Sequence, residues 1–251
     1  LLAHMAVAKA ADAPASPSAH EMIAAADRVR NPDKPFRVLN TLTEYVNGKA
    51  KDSIELSVYA KMDPQNNQYR NLVRYVAPLR DAGKLVLLNG SQMWFYDPDS
   101  KASVRLSPQQ RLLGEAANGD VVTVNLGRDY TGRLLGKQSL LDADRQNRDC
   151  WHLDLSASTT DAVYYRIEYW IDQKTFYPVK AKYYSDSGRL LKIAYFTKYH
   201  EELGGTRPTE VIILDGVDTN LVTTMDFSDY QATDVPDSWF QRDFLPQFKG
   251  N

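Results

Sequence analysis

Residues 67–120 read NQYRNLVRYVAPLRDAGKLVLLNGSQMWFYDPDSKASVRLSPQQRLLGEAANGD. The runs Tyr69–Val76, Lys84–Leu88, Gln92–Tyr96 and Ala102–Leu106 have strand length and strand composition. Between them sit Asp81-Ala82-Gly83, Asn89-Gly90 and Asp97-Pro98-Asp99-Ser100. Short β-branched and aromatic runs cut by such dipeptides read as strands joined by tight turns. The pattern then changes. Pro108 opens a segment to Ala116 that reads as a short amphipathic helix, because proline suits the first helical turn, and the Asn118-Gly119-Asp120 loop follows it. A sheet that turns repeatedly and then presents such a segment is either a covered sheet or a covered cavity.

The same grammar extends in both directions. Upstream, Phe36, Val38, Leu42 and Val46 alternate with polar neighbours and meet an Asn47-Gly48 hairpin signal. Ile54, Leu56, Val58, Ala60 and Met62 then alternate against Glu55, Ser57 and Lys61. Ahead of these strands, His20–Arg30 reads as a helix capped by Ser18, with Met22, Ile23, Ala26 and Val29 on one face. Downstream, residues 121–130 fit a short helix or a strand. Strands resume at 134–141, 149–156, 163–171, 177–184, 190–199, 209–214 and 221–227, and Pro236–Leu245 reads as a final helix.

About eleven strands in succession, with no long helix between any pair, imply one antiparallel up-and-down sheet. A sheet that wide must curl. In Val163–Ile171 and Tyr177–Tyr183 apolar and charged residues alternate, so one face is apolar and the other wet. The expected fold is mainly β: a single large curled antiparallel sheet whose concave apolar face is covered by short helices. Three short helices are little cover for so large a face, and the shortfall leaves room for an apolar guest.

Composition narrows the function classes. The 251 residues carry a formal charge of −2, which gives no electrostatic reason to expect nucleic acid. Tyrosine is enriched, with 15 copies, and suits strands and surfaces that are apolar at one end and wet at the other. The lone cysteine, Cys150, excludes an internal disulfide and reads as a buried structural thiol. Residues 1–17 read as the remnant of a secretory leader and a Pro/Ser linker, with 18–251 as one domain. An exported, unanchored chain of a Gram-negative envelope would be periplasmic.

The sequence carries no recognisable reactive motif. His4, His20, His152 and His200 are scattered, and there is no nucleophile elbow, P-loop or dinucleotide fingerprint. Asp97-Pro98-Asp99 begins like a calcium loop but has Ala102 and Pro108 at the sixth and twelfth positions. No metal, cofactor or catalytic residue is expected, and the chain reads as a non-enzyme. Arg70, Arg74, Arg80 and Arg105 fit a solvated sheet face, or a contact to the cover or to a lipid head group.

Several short runs carry a family resemblance: Arg70-Asn71-Leu72-Val73-Arg74-Tyr75, Pro78-x-Arg80-Asp81-x-Gly83-Lys84, and Gly90-x-x-Met93-Trp94-x-Tyr96-x-Pro98. The pattern continues through Val104-Arg105-Leu106-Ser107-Pro108-x-Gln110-Arg111-Leu112-x-Gly114, Asn118-Gly119-Asp120-Val121 and Asp129-Tyr130. Together they resemble the outer-membrane lipoprotein-sorting, LolA-like family. The resemblance implies an unclosed β-barrel with a lid over a hydrophobic cavity, and a periplasmic carrier of acyl chains, of lipoprotein or other lipid. It also implies a membrane transporter of the resistance-nodulation-division type as partner; a monomer is expected.

On this reading Leu56, Val58, Leu85, Leu87, Met93, Phe95, Ile167 and Val179 are the candidate cavity residues, each equally compatible with plain core packing. Leu112, Leu113 and Val122 are the candidate lid residues, and Arg70, Arg74 and Arg105 the candidate contacts to lid or head group. The alternative is a non-carrier envelope module that docks a transporter partner through its sheet face, which a filled core and an exposed aromatic patch would favour.

Overall fold

A computed structural model describes residues 16–250; most of the expected leader remnant, up to residue 15, lies outside the described residues. The first half of the chain forms helix α1 (Ala19–Arg30) and strands β1 (Phe36–Val46), β2 (Lys49–Asp63), β3 (Gln68–Ala77), β4 (Leu85–Asn89), β5 (Gln92–Asp97) and β6 (Ala102–Leu106). Two very short strands, β7 (Arg111–Leu113) and β8 (Ala116–Ala117), and a one-turn helix, α2 (Leu126–Asp129), come next. The second half forms β9 (Tyr130–Leu141), β10 (Asn147–Ala157), β11 (Arg166–Asp172), β12 (Pro178–Tyr184), β13 (Leu190–Glu202), β14 (Gly205–Asp215) and β15 (Leu221–Ala232).

Thirteen of these strands form one antiparallel sheet in the order β6-β5-β4-β3-β2-β1-β15-β14-β13-β12-β11-β10-β9. The chain walks from the middle of the sheet to one edge, crosses over, and walks back from the other edge to the middle. There β1 pairs with β15, with Leu42 opposite Met225. The edge strands β6 and β9 do not pair, so the barrel stays open. The connection from 107 to 129 joins those two edges, and topology alone obliges it to span the opening.

Turn chemistry sets the register. Asn47 and Gly48 both have positive φ and close the β1–β2 hairpin in two residues, the geometry that suits the twist of paired strands. Strict alternation then sorts the faces: Phe36, Val38 and Leu42 of β1, and Ile54, Leu56, Val58 and Ala60 of β2, point into the concave core.

Helix α1 covers part of that core. Its Ser18 cap is reciprocal, since the Ser18 hydroxyl accepts from the Glu21 N–H while Glu21 accepts from the Ser18 N–H at 2.7 Å. The helix buries Met22, Ile23 and Ala26. It can lie close to β9 because position 132 is glycine: a Cβ there would come within 2.4 Å of Ile23 Cδ1.

The rest of the cover differs from expectation. Residues 108–116 are not helical but form a turn and the β7–β8 hairpin, with Leu113 opposite Ala116. Gly114 takes φ +51° in that reversal. A helix of nine residues is marginal in water, so packing decides. Here the extended form lets the consecutive residues Leu112 and Leu113 both pack against the core. Pro236–Leu245 likewise forms two 3-10 segments, Asp237–Phe240 and Arg242–Gln247, instead of one helix. They place Phe240 and Leu245 on the convex face, against Tyr59, Leu72, Leu85, Leu87 and Tyr96. Strand β11 begins at Arg166, three residues later than the pattern suggests, because Val163 and Tyr164 turn in together under the cover while Tyr165 stays 61% exposed.

Candidate functional site

A cavity lies between the concave face and the 107–129 cover. Val38, Val58, Ile167, Phe196, Val211 and Met225 of the sheet form its wall, and Gly119 through Val124 with Leu126 form its roof. Its volume is about 140 Å³.

The roof is held by side chains from the sheet rather than by its own helical bonds. Asn71, fully buried on β3, donates to the Thr123 carbonyl at 2.9 Å and accepts from the Thr123 N–H at 2.8 Å. Gln68 accepts from the Asn125 N–H at 2.7 Å and donates to Asp129 at 2.8 Å. Asp27 of α1 accepts from the Gly127 N–H at 2.8 Å. At the hairpin end the Glu115 N–H donates to the Thr223 hydroxyl at 2.8 Å. Lys192, 5% exposed, pairs with Asp120 and donates to the Glu115 carbonyl at 3.2 Å. Asp120 also accepts from the Tyr164 hydroxyl at 2.7 Å.

The lining also carries polar groups, Asp120 and Asp129 among them, and one cation. Arg30, the last residue of α1, pairs with Asp27 at 2.6 Å and donates to the Val124 carbonyl at 3.1 Å. Burial opposes its charge, but neighbouring Tyr169 and Asp27 outweigh that and hold the guanidinium pKa above its ordinary value. Tyr130, Tyr164 and Tyr183 also line the cavity. Burial raises all three phenol pKa values above the ordinary one, so the rings stay neutral. Among the described residues no group of three His, Cys, Asp or Glu side chains is placed to hold a metal ion. No helix there is long and apolar enough to cross a membrane.

Of the residues anticipated from sequence, Val58, Ile167 and Val122 line the cavity. Leu56 and Met93 lie in the same concave core, and Phe95, Leu112 and Leu113 pack against it. Leu85 and Leu87 face the other way, into the convex cluster under Phe240 and Leu245. The run Leu85-Val86-Leu87-Leu88 is apolar at every position because β4 is covered on both sides, and alternation cannot say which side is which. Val179 packs with Cys150 and Trp170 away from the cavity; the register shift between Trp170 and Ile171 against β12 sets its position.

The three arginines do not reach the cover. Arg70 pairs with Asp237 at 3.0 Å and stacks over Phe240 on the convex face. Arg74 runs alongside Gly250 near the C-terminus. Arg105, exposed on edge strand β6, pairs with Trp94, whose ring belongs to the convex cluster. The cation that does line the cavity, Arg30, reads in the sequence only as a helix end. The paired tyrosines Tyr130 and Tyr164 lie 34 residues apart, and no local pattern joins them.

A family model described only as that of an uncharacterized protein matches residues 67–247. A LolA superfamily protein from Nitrosomonas europaea superposes with a TM-score of 0.81 at 30% identity, over 91% of this chain and 100% of that one. A DUF1329 family protein from Desulfovibrio piger superposes at 0.76 with 19% identity, over 92% and 100%. A domain from Vibrio parahaemolyticus, described as of the outer membrane lipoprotein-sorting type, superposes at 0.74 with 18% identity, over 91% and 98%. The last two likenesses show the fold alone. No curated protein matches the sequence. The chain belongs to the LolA superfamily.

Proposed function

We propose that this member of the LolA superfamily is a carrier that shelters the hydrocarbon part of a lipid beneath the 107–129 cover and moves it between the membranes of a cell envelope. One observation carries the reading: the cavity is walled mostly by apolar side chains, aliphatic and aromatic, but roofed by a segment held through separate hydrogen bonds. Val121, Val122 and Val124 sit where a guest's tail would lie. A tail gains about 0.8 kcal/mol per buried methylene, so ten methylenes supply about 8 kcal/mol. That is comparable to the cost of releasing several roof hydrogen bonds at about 1 kcal/mol each. Binding is therefore reversible, and a competing site on a partner suffices to unload the carrier.

The chemistry is binding without covalent change. The site of action is the periplasm, the donor or acceptor is a membrane transporter of the resistance-nodulation-division type, and the carrier acts as a monomer. Support for a lipid cargo comes from the superfamily membership.

The test is lipid extraction from natively purified protein followed by mass spectrometry. An alkyl-chain lipid is expected in near-equimolar amount. Recovery of none, together with failure to bind an added fluorescent hydrophobic dye, would overturn the proposal.

A further inference from the structure

Resting on the carrier reading, we infer that the guest is held head-inward, with an uncharged oxygen acceptor of its polar end, an ester carbonyl or a hydroxyl, taken by Arg30 and Tyr169.

Arg30 and Tyr169 hold unspent donors. A guanidinium has five N–H groups. The bonds that Arg30 makes to Asp27 and to the Val124 carbonyl both leave from Nη2. Its Nε is buried without a hydrogen-bond partner. The hydroxyl of Tyr169, a residue 1% exposed, has none either. Buried polar atoms are nearly always paired, so such atoms call for an explanation.

Their positions supply one. Arg30 lines the cavity and its side chain keeps 17% of its surface open. Tyr169 stands on β11, one inward-facing position beyond Ile167, which lines the same cavity opposite Tyr183. Arg30 therefore lies at the α1 end of the cavity, and Tyr169 stands just behind the lining, its ring packed on the cavity residue Phe196 at 6.2 Å between centroids and near enough to act on the Arg30 charge. A small shift of either side chain on arrival of an acceptor gives both a partner.

Charge selects the kind of acceptor. The Arg30 charge is already balanced by Asp27. Asp120 and Asp129, the carboxylates on the lining, face Lys192 and Arg128, and Arg128 is shared with Asp161 at 2.6 Å, so no positive charge is left over. An anionic head would bring a further negative charge to a cavity with no spare cation, and burying an unbalanced charge is costly. A neutral oxygen satisfies both donors without that cost. A cationic head without an acceptor gains nothing there.

The experiment is displacement of N-phenylnaphthylamine, a neutral fluorescent dye, from the full chain. The competitors are dodecanol, methyl dodecanoate, dodecanoate and dodecyltrimethylammonium, which share one tail length. Dodecanol and methyl dodecanoate should displace the dye at about tenfold lower concentration than the other two, a difference of about 1.4 kcal/mol. Tyr169→Phe and Arg30→Lys should each remove most of that preference. Tyr169→Phe deletes one oxygen and no packing volume, so it remains informative if the arginine variant folds poorly. Equal displacement by all four competitors, or an undiminished preference in Tyr169→Phe, would overturn the head-inward inference and leave the carrier reading standing. Tightest binding by dodecanoate would overturn the neutral acceptor. No dye binding by the unaltered protein would remove the carrier reading itself.

Discussion

Asn71 and Thr123 clasp each other as two paired strands would, the Asn71 amide donating to the Thr123 carbonyl and accepting from its N–H at 2.9 and 2.8 Å. One side chain thus gives the roof the pair of bonds that a further strand would have given. Asn71→Ala is expected to leave both Thr123 groups unpaired, costing about 1–3 kcal/mol. Hydrogen exchange at residues 121–125 should accelerate while exchange in β1 and β15 does not. Unchanged exchange there would show that the roof is held from elsewhere.

Lys192 and Asp120 anchor the opposite end of the roof. Removing one partner from a buried pair strands the other. Lys192→Met should therefore destabilise the fold by about 3–5 kcal/mol, whereas Lys192→Met combined with Asp120→Asn should recover much of the loss. Urea denaturation of the four proteins forms the double-mutant cycle. Additive losses would mean that the two side chains act independently.

Glu115, beside this anchor, faces Arg111 at 3.5 Å, Lys192 and Asp215. Burial first, then the Asp215 carboxylate, raises its pKa above the ordinary glutamate value. Folding therefore favours its protonated form. The stability it contributes is full below the ordinary value and is lost as pH rises through the raised one. Asp215 works in the opposite direction: the backbone N–H of Asp218 leads in lowering its pKa, so its contribution is lost only as pH falls through that lowered value. Glu115→Gln should accordingly lose less stability than the unaltered protein between pH 4.5 and pH 7.5. Parallel urea midpoints across that interval would refute this.

Cys150 is fully buried, and burial first, then Asp172, pushes its thiol up to about 12. Thiolate is the reactive form. Alkylation by iodoacetamide at pH 8 should be negligible in the native protein and should rise only with the unfolded fraction in urea.

Asn40 breaks the apolar alternation of β1, fully buried between Val38 and Leu42 with neither amide atom hydrogen-bonded. Asn40→Leu is of similar size and should stabilise the fold by about 1–3 kcal/mol. A loss of stability on urea denaturation would mean that the amide has a partner in solution.

The strands were legible because the sheet obeys local rules. Alternation in β1 and β2 and the Asn47-Gly48 turn each specify their surroundings within a few residues. The face of Leu85 and Leu87 was not legible. It depends on Phe240 and Leu245, brought to the convex side by the far end of the chain. Residues 108–116 carry helical signals, but the contacts of Leu112 and Leu113 with the core decide their form. Arg30 and Tyr169 are separated by most of the β-sheet in sequence and meet only through the curl. The general rule is that walls are written locally, while the contents of the space they enclose are written by distant pairs.

The pairing of β1 with β15 also has a consequence for the order in which the molecule can be finished. Most of the described chain separates Leu42 from Met225. A chain delivered with its amino end first can complete one six-strand wall early, then the cover, then most of the other wall. The exposed margin of β1 must wait for the last strand to emerge, and such a margin invites mispairing with other chains. A truncation before Leu221 would leave two walls joined only by the 107–129 crossing. The seam at the centre of the sheet, not the gap at its edges, is the point at which a newly made copy is most exposed.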